Sequence, residues 1–438
     1  MASERTEELY RVLLSKGYPK ELCAEIAYKN MNTDYTATRM LGYLYRYTNP
    51  KIEDLVDEML AILSDEELGD KITMEQYYYN HMNKAQQAAY HSILSGVKNL
   101  ADEFQIPALE GEELYNVFFQ MRLDHPEIFW VSSYKYRYYK DSPNLIFIPE
   151  YLFDKKKICE HQKAMTARVE KLIRPAQKLS EWEKEKYVHD FICENIRYDK
   201  LKKSYSHEII GPLGQGVGVC EGIAKAVKVL LDALGVWCVI AICGNNPEKG
   251  IKYRHTWNIV KIGGTYYHLD ATFDNTLGKH SAAGQEIRYD YFNLDDSQIF
   301  RDHEPLIAPA PHCGDHEHFY YKEKKLSFTK KEDVYKRSLQ AAKKGRVLIF
   351  HWRGGYLTKE VLKELLELIR KAGDEKDKTA MVSINWPQAV IRVQYTDMQV
   401  QESVTIEEAN EEEQYDKAII LFEGLPRDYE DARNNFRE

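Results

Sequence analysis

The sequence predicts an α+β fold: a helical N-terminal module, a core in which a helix carrying a cysteine packs on an antiparallel sheet, and a small C-terminal α+β unit. Three observations lead there. Residues 6–68 read as short helices broken by KGYP, NMNTD and TNP. In the middle, a helical pattern opens on GVCEG and is followed by a strand and two alternating runs joined by Gly263 and Gly264. Beyond residue 312, strand and amphipathic-helix patterns alternate over a short span.

Bulk composition narrows the class of protein. A chain of 438 residues exceeds what a single core usually serves, so more than one compact unit is expected. With 44% hydrophobic and 29% charged residues the chain can bury a core, and nothing in it resembles a disordered composition. A formal net charge of −9 argues against a nucleic-acid or acidic-membrane partner. The start, MASERTEELYRVLL, has no basic segment leading into a long apolar run, and the expected location is the cytoplasm. Seven cysteines, an odd number spread from Cys23 to Cys313, read as reduced thiols rather than a disulfide framework.

Taken in order, residues 1–70 form the N-terminal helical module. Its Tyr43, Tyr45 and Tyr47 could serve a protein partner, although such aromatics more commonly supply a small module's own core and rim. Residues 71–175 form a connecting segment: a helix over 74–104, another over 112–124, and a hairpin through FWVSSYKYRYYKDSPNLIFIP that turns at 141–144. Its tyrosines interleave with Lys135 and Arg137, as a base-stacking surface would require, but the two-residue period reads as a half-solvated strand.

The core spans 176–311. Ser180 and Glu183 stand at capping-box spacing ahead of a helix over 182–196 whose Val188, Ile192 and Ile196 share a face; His189 within it reads as a packed core residue. The C-terminal unit, 312–438, carries strands at 345–352, 380–386 and 390–395, a helix over 358–372, and an acidic run, IEEANEEEQ, before a last strand near 418–422.

The chemistry gathers in the core. Val219, Ile223, Val227, Leu230 and Leu234 keep helical spacing around Cys220, and Gly235 sits where a C-terminal cap belongs. Cys220 therefore occupies a helix start, where uncompensated amides and the positive dipole end favour a thiolate. Glycines 214, 216 and 218 are expected to leave room for a substrate carbonyl beside the sulfur. Buried thiols also occur at such sites, so a base is needed.

The strands 254–262 and 265–272 provide one. With Ile262 facing Thr265 across the two-glycine turn, His255 falls opposite Thr272 and Trp257 opposite Asp270. His255 and Asp270 are then diagonal neighbours on one face, roughly 7–8 Å apart between backbone positions and within side-chain reach. His268 shares that face, opposite Ile259; His255 is preferred because it begins its strand at an exposed end.

In order, GVCEG with its helix, HTWN and YYHLDATFD resemble the signature blocks of the bacterial transglutaminase-like superfamily, cysteine enzymes of papain-like fold. The resemblance covers residues 182–303 and weakly reaches the preceding hairpin. It implies Cys220 as nucleophile, His255 as general base and acid, and Asp270 as the residue that orients the ring. Phe273 departs from the tryptophan many relatives carry there. The Cys220 amide is the expected oxyanion donor with Gln215 as a second, and Trp257 is assigned to the substrate pocket.

The implied reaction is attack on an amide of a protein or peptide, with an acyl-thioester resolved by water or by an amine. The alternative is a module that keeps the fold for binding or scaffolding without turnover. No cofactor is indicated, and no EF-hand loop suggests calcium. PHCGDHEHF offers His312, Cys313, Asp315, His316 and His318 as zinc ligands, but they crowd too tightly to converge on one ion, and no metal is assigned.

Overall fold

The computed structural model describes residues 4–46, 50–56, 58–59, 62, 76–139, 142–246, 248, 251, 254–279, 286–397 and 420–421. The chain divides into two compact units, Met1–Met74 and Glu75–Glu438.

In the first unit, helices Glu4–Ser15, Lys20–Ala24 and Asp34–Arg46, the second continued by a π-helical stretch Glu25–Asn30, enclose Leu9, Leu13, Ile26, Met40 and Leu44. Tyr43 packs on this core, while Tyr45 is 65% exposed and donates its hydroxyl to Glu8. Tyr47 and the charged break at 64–70 lie outside the described residues.

The second unit opens with helices Tyr77–Asn80 and Lys84–Lys98, the latter started by a capping box between Asn83 and Gln86. The expected helix through residue 104 stops short, because Phe104 already belongs to strand β1 (Phe104–Pro107). Past helix Gly111–Asp124, the expected hairpin forms as β2 (Val131–Tyr138) and β3 (Asn144–Tyr151), in the order β1-β3-β2. Phe147 on β3 packs against Phe104 and Tyr134 at centroid distances of 5.3 and 4.7 Å. Lys135 and Arg137 pair with Glu150 and Glu103, so the basic run of this hairpin is locally neutralised.

Helix Lys155–Ile173 leads to helix Glu181–Asn195, whose capping box is Ser180 with Glu183. Short strands β4 (Arg197–Tyr198) and β5 (Val217–Gly218) pair in parallel just ahead of helix Cys220–Ala233. That helix packs Ile223, Val227 and Leu230 into a core shared with Val188, Ile192, Val260 and Leu269. The sheet beneath it is antiparallel, β6-β7-β8-β9, built from Cys238–Ile242, Thr256–Ile262, Thr265–Leu269 and Phe292–Leu294. Gly263 and Gly264 take φ of +59° and +87°, as a two-residue hairpin turn demands, and Ile262 faces Thr265 as expected.

The C-terminal sheet runs β10-β11-β13-β12-β14, from Ser327–Phe328, Leu348–Trp352, Val390–Asp397, Lys378–Asn385 and Ile420–Leu421. Helices Lys331–Lys344 and Lys359–Asp374 cover it through Val334, Leu365 and Ile369. The aromatic run FYY enters a short helix, Tyr320–Glu323. Tyr320 stacks on Tyr289 at 3.7 Å and Tyr321 bonds Asp290, so tertiary contacts override aromatic strand propensity. The acidic run IEEANEEEQ lies outside the described residues. No described helix is long and apolar enough to cross a membrane.

Candidate active site

Cys220 is the first residue of its helix, and Val219 before it is extended with no side-chain cap. The first-turn amides are therefore not claimed by a side chain of the N-cap. Two contacts fix this start: the Val219 amide donates to the Ser206 carbonyl at 3.0 Å, and the Asp199 amide donates to the Gly218 carbonyl at 3.0 Å. Ser206 in turn donates its hydroxyl to Asp199 at 2.5 Å. The close approach expected at residues 214–218 falls mainly at Gly222, where a Cβ would lie 2.2 Å from the Ser206 carbonyl oxygen. Gly216 serves backbone conformation instead, with φ +66°.

His255 lies one residue before β7 and Asp270 one residue after β8. The strand expected through residue 272 ends at Leu269 because Asp270 starts a helix, Ala271–Lys279. Its Oδ1 accepts from the amides of Thr272 and Phe273 at 2.9 and 3.0 Å, an N-cap arrangement. Its Oδ2 faces His255 Nε2 at 2.6 Å, which leaves Nδ1 of that ring for its hydrogen bond with Cys220. The structure thus brings Cys220, His255 and Asp270 into one hydrogen-bonded series.

A fourth group, absent from the sequence reading, completes the arrangement. His303 is buried, with Nε2 2.9 Å from Asp270 Oδ2 and Nδ1 2.8 Å from Asp302 Oδ1. Both its ring nitrogens face carboxylates, which is the environment of an imidazolium. Asp302 also accepts from the Tyr291 hydroxyl at 2.6 Å and from Gln388 at 3.3 Å, tying the turn between β12 and β13 to this network. The signal in the sequence was only the histidine of FRDH, 33 residues after Asp270 and past β9, where no strand register reaches it.

The charges follow from these contacts. Burial opposes the Cys220 thiolate, but the hydrogen bond and charge of His255, aided by the Thr256 amide, outweigh it and hold the thiol below its ordinary value. Burial likewise disfavours a charged His255, yet Asp270 and the sulfur raise its pKa well above that of a free imidazole. Asp270, against its own burial, is held far below the usual carboxylate range by His255 and His303. Burial is outweighed at His303 as well, where Asp270 and Asp302 raise the pKa.

A cavity of about 460 Å³ opens on Cys220 and His255, lined also by Tyr115, Phe119, Tyr198, Lys202, His207, Glu221, Arg254 and Phe273. Gln215 is exposed at the end of a π-helical turn, Ile210–Gln215, and does not line it. Trp257 does not line it either. It is buried behind His255, where its ring stacks at 5.7 Å and its Nε1 donates to His268 Nδ1 at 2.9 Å.

That last bond fixes His268. With Nδ1 accepting, its proton sits on Nε2 and is donated to Asp296 at 2.8 Å, leaving no lone pair for an ion. Cys313 lies near the same pair, and burial pushes its thiol up. The neighbouring histidines diverge: His312 faces Asp296, His316 faces Asp295 and His318 faces Glu323. Metal ligation at this cluster would require breaking the Trp257 bond and deprotonating a buried thiol.

A model of the transglutaminase-like superfamily matches residues 166–271. Among solved structures, one described as a TGase is similar over 36% of this chain and 47% of its own, at 14% identity and a TM-score of 0.22. A structure from Cytophaga hutchinsonii, described as that of a candidate cysteine protease, is similar over 32% of this chain and 61% of its own, at 15% identity and a TM-score of 0.20. A search of curated proteins returned no match. The matched span contains all three residues of the hydrogen-bonded series, and residues 166–271 of this chain are a domain of the transglutaminase-like superfamily.

Proposed function

We propose that this protein is a cysteine-dependent enzyme acting on an amide bond of a protein or peptide. The observation that carries the reading is His255 held between the Cys220 thiol and the Asp270 carboxylate, at the start of a helix whose first turn has no side-chain cap. The Cys220 thiolate attacks the amide carbonyl carbon, forming the C–S bond, and the carbonyl oxygen takes the negative charge next to the Cys220 amide. His255, protonated in the ion pair, gives its proton to the departing nitrogen as the C–N bond breaks. Water then attacks the acyl-thioester with His255 as base, releasing the acid and restoring the thiol. Asp270 keeps Nε2 protonated so that Nδ1 faces the sulfur, and His303 is a positioning residue that holds Asp270 from the other side.

The test is the pH dependence of Cys220 alkylation by iodoacetamide, mapped by mass spectrometry in a Cys159→Ser background because Cys159 is the exposed competitor. A lowered cysteine pKa and a raised histidine pKa make the ion pair present from below the ordinary thiol value until His255 deprotonates. The acid-side midpoint should therefore fall below the ordinary thiol value of about 8.5. His255→Ala removes the cation and leaves burial unopposed, so the midpoint should move above that value and the rate near pH 6.5 should drop by about tenfold or more. An unshifted midpoint in the wild type would leave only a non-catalytic module of this fold.

A further inference from the structure

We infer that the cavity beside Cys220 is built for a substrate segment carrying a carboxylate, recognised by Arg254 with Lys202. The inference rests on Cys220 being the nucleophile and adds the chemical class of what reaches it.

Apart from Cys220 and His255, four side chains able to carry charge near neutrality line the cavity: Lys202, His207, Glu221 and Arg254. Glu221, the one carboxylate, is neutralised from behind. Its Oε1 accepts from Lys225 Nζ at 2.8 Å and lies 3.6 Å from Arg122, and its Oε2 faces His207 Nδ1 at 3.2 Å. Lys225 has no exposed side-chain surface, so this compensation is permanent rather than an exposed surface pair.

Arg254 is placed differently. Its guanidinium lies over the stacked rings of Tyr115 and Phe119, 5.7 and 6.0 Å from their centroids, and Nη1 donates to the Tyr115 hydroxyl at 3.4 Å. Among the described residues no carboxylate pairs with it. Ring contacts hold the plane of the group and leave most of its five N–H donors directed elsewhere, which is the arrangement that binds a carboxylate through two parallel hydrogen bonds. Arg254 immediately precedes His255, so an anion docked on it lies beside the reacting centre. Lys202 is a second cationic side chain in the same lining, and a cleft lined by cations concentrates anionic ligands.

The experiment compares second-order alkylation of Cys220 by iodoacetate, an anion, and iodoacetamide, its neutral analogue, in the full-length Cys159→Ser protein, with a small free thiol as reference. The imidazolium of His255 contributes to any iodoacetate preference, so the informative quantity is the change in the iodoacetate to iodoacetamide ratio among variants. Arg254→Gln should lower that ratio by about three- to tenfold, Lys202→Gln by less, and Arg254→Lys should retain part of it. Raising ionic strength from about 0.05 to 0.5 M should shrink the difference between wild type and Arg254→Gln. An equal effect of Arg254→Gln on both reagents, or none on either, overturns the inference while leaving the nucleophile reading intact. Failure of Cys220 to react faster than the reference thiol with either reagent overturns both.

Discussion

Asp270 serves two structures with its two oxygens. Oδ1 caps a helix and Oδ2 receives two imidazoles, from His255 and His303. Removing the His303 cation takes a positive charge from the neighbourhood of both the sulfur and His255. A positive neighbour favours thiolate over thiol and disfavours imidazolium, so its loss raises the pKa of each. His303→Gln, which keeps one donor toward Asp270, should therefore move the acid-side midpoint of Cys220 alkylation to higher pH. A residue that merely filled space would lower the rate without moving the midpoint. The pairing of His255 with Asp270 was legible in the sequence because a two-glycine turn fixes strand register, and register fixes which side chains share a face. His303 was not, because its position depends on how the chain returns after β9. Gln215 and Trp257 were misplaced for a related reason: proximity in sequence to Cys220 and His255 does not say which side of a turn, or which face of a sheet, meets the cavity.

The helix that presents Cys220 depends on a contact that no propensity scale contains. Gly222 lets the helix touch the backbone of the Ser204–His207 turn, and an added methyl would meet the Ser206 carbonyl oxygen at 2.2 Å. Backbone on one side and a buried helix on the other leave little room to yield. Gly222→Ala should cost roughly 1–3 kcal/mol in chemical denaturation, despite the gain in intrinsic helix propensity. It should also slow Cys220 alkylation by displacing the Val219–Ser206 bond at the helix start. The helix start marked by the local side-chain cap of Ser180 with Glu183 was readable to within one residue. The end of β8 was not, since Thr272 and Phe273 have strand-forming side chains and only the capping carboxylate of Asp270 turns them into a helix.

The chain's buried clusters divide with its two units. Leu9 through Ile62 supply one core among themselves, and the clusters around the candidate site draw on residues from Tyr78 onward. Every residue of the hydrogen-bonded series and its cavity lies in the second unit. A fragment beginning at Glu75 should consequently fold and alkylate at Cys220 at the full-length rate within about twofold, as measured by the same mass-spectrometric assay. A slower fragment would assign the first unit a part in shaping the site. The other end of the chain has a different standing. Gln388, in the bend between two strands of the last sheet, donates to Asp302, and Asn385 donates to Asp290 at 3.0 Å. Through Asp302, His303 and Asp270, that bend is five side chains from the sulfur. The terminal sheet is thus a tenon in the same joint as Cys220, and whatever grips or shifts it from outside pulls on the hydrogen-bonded series within.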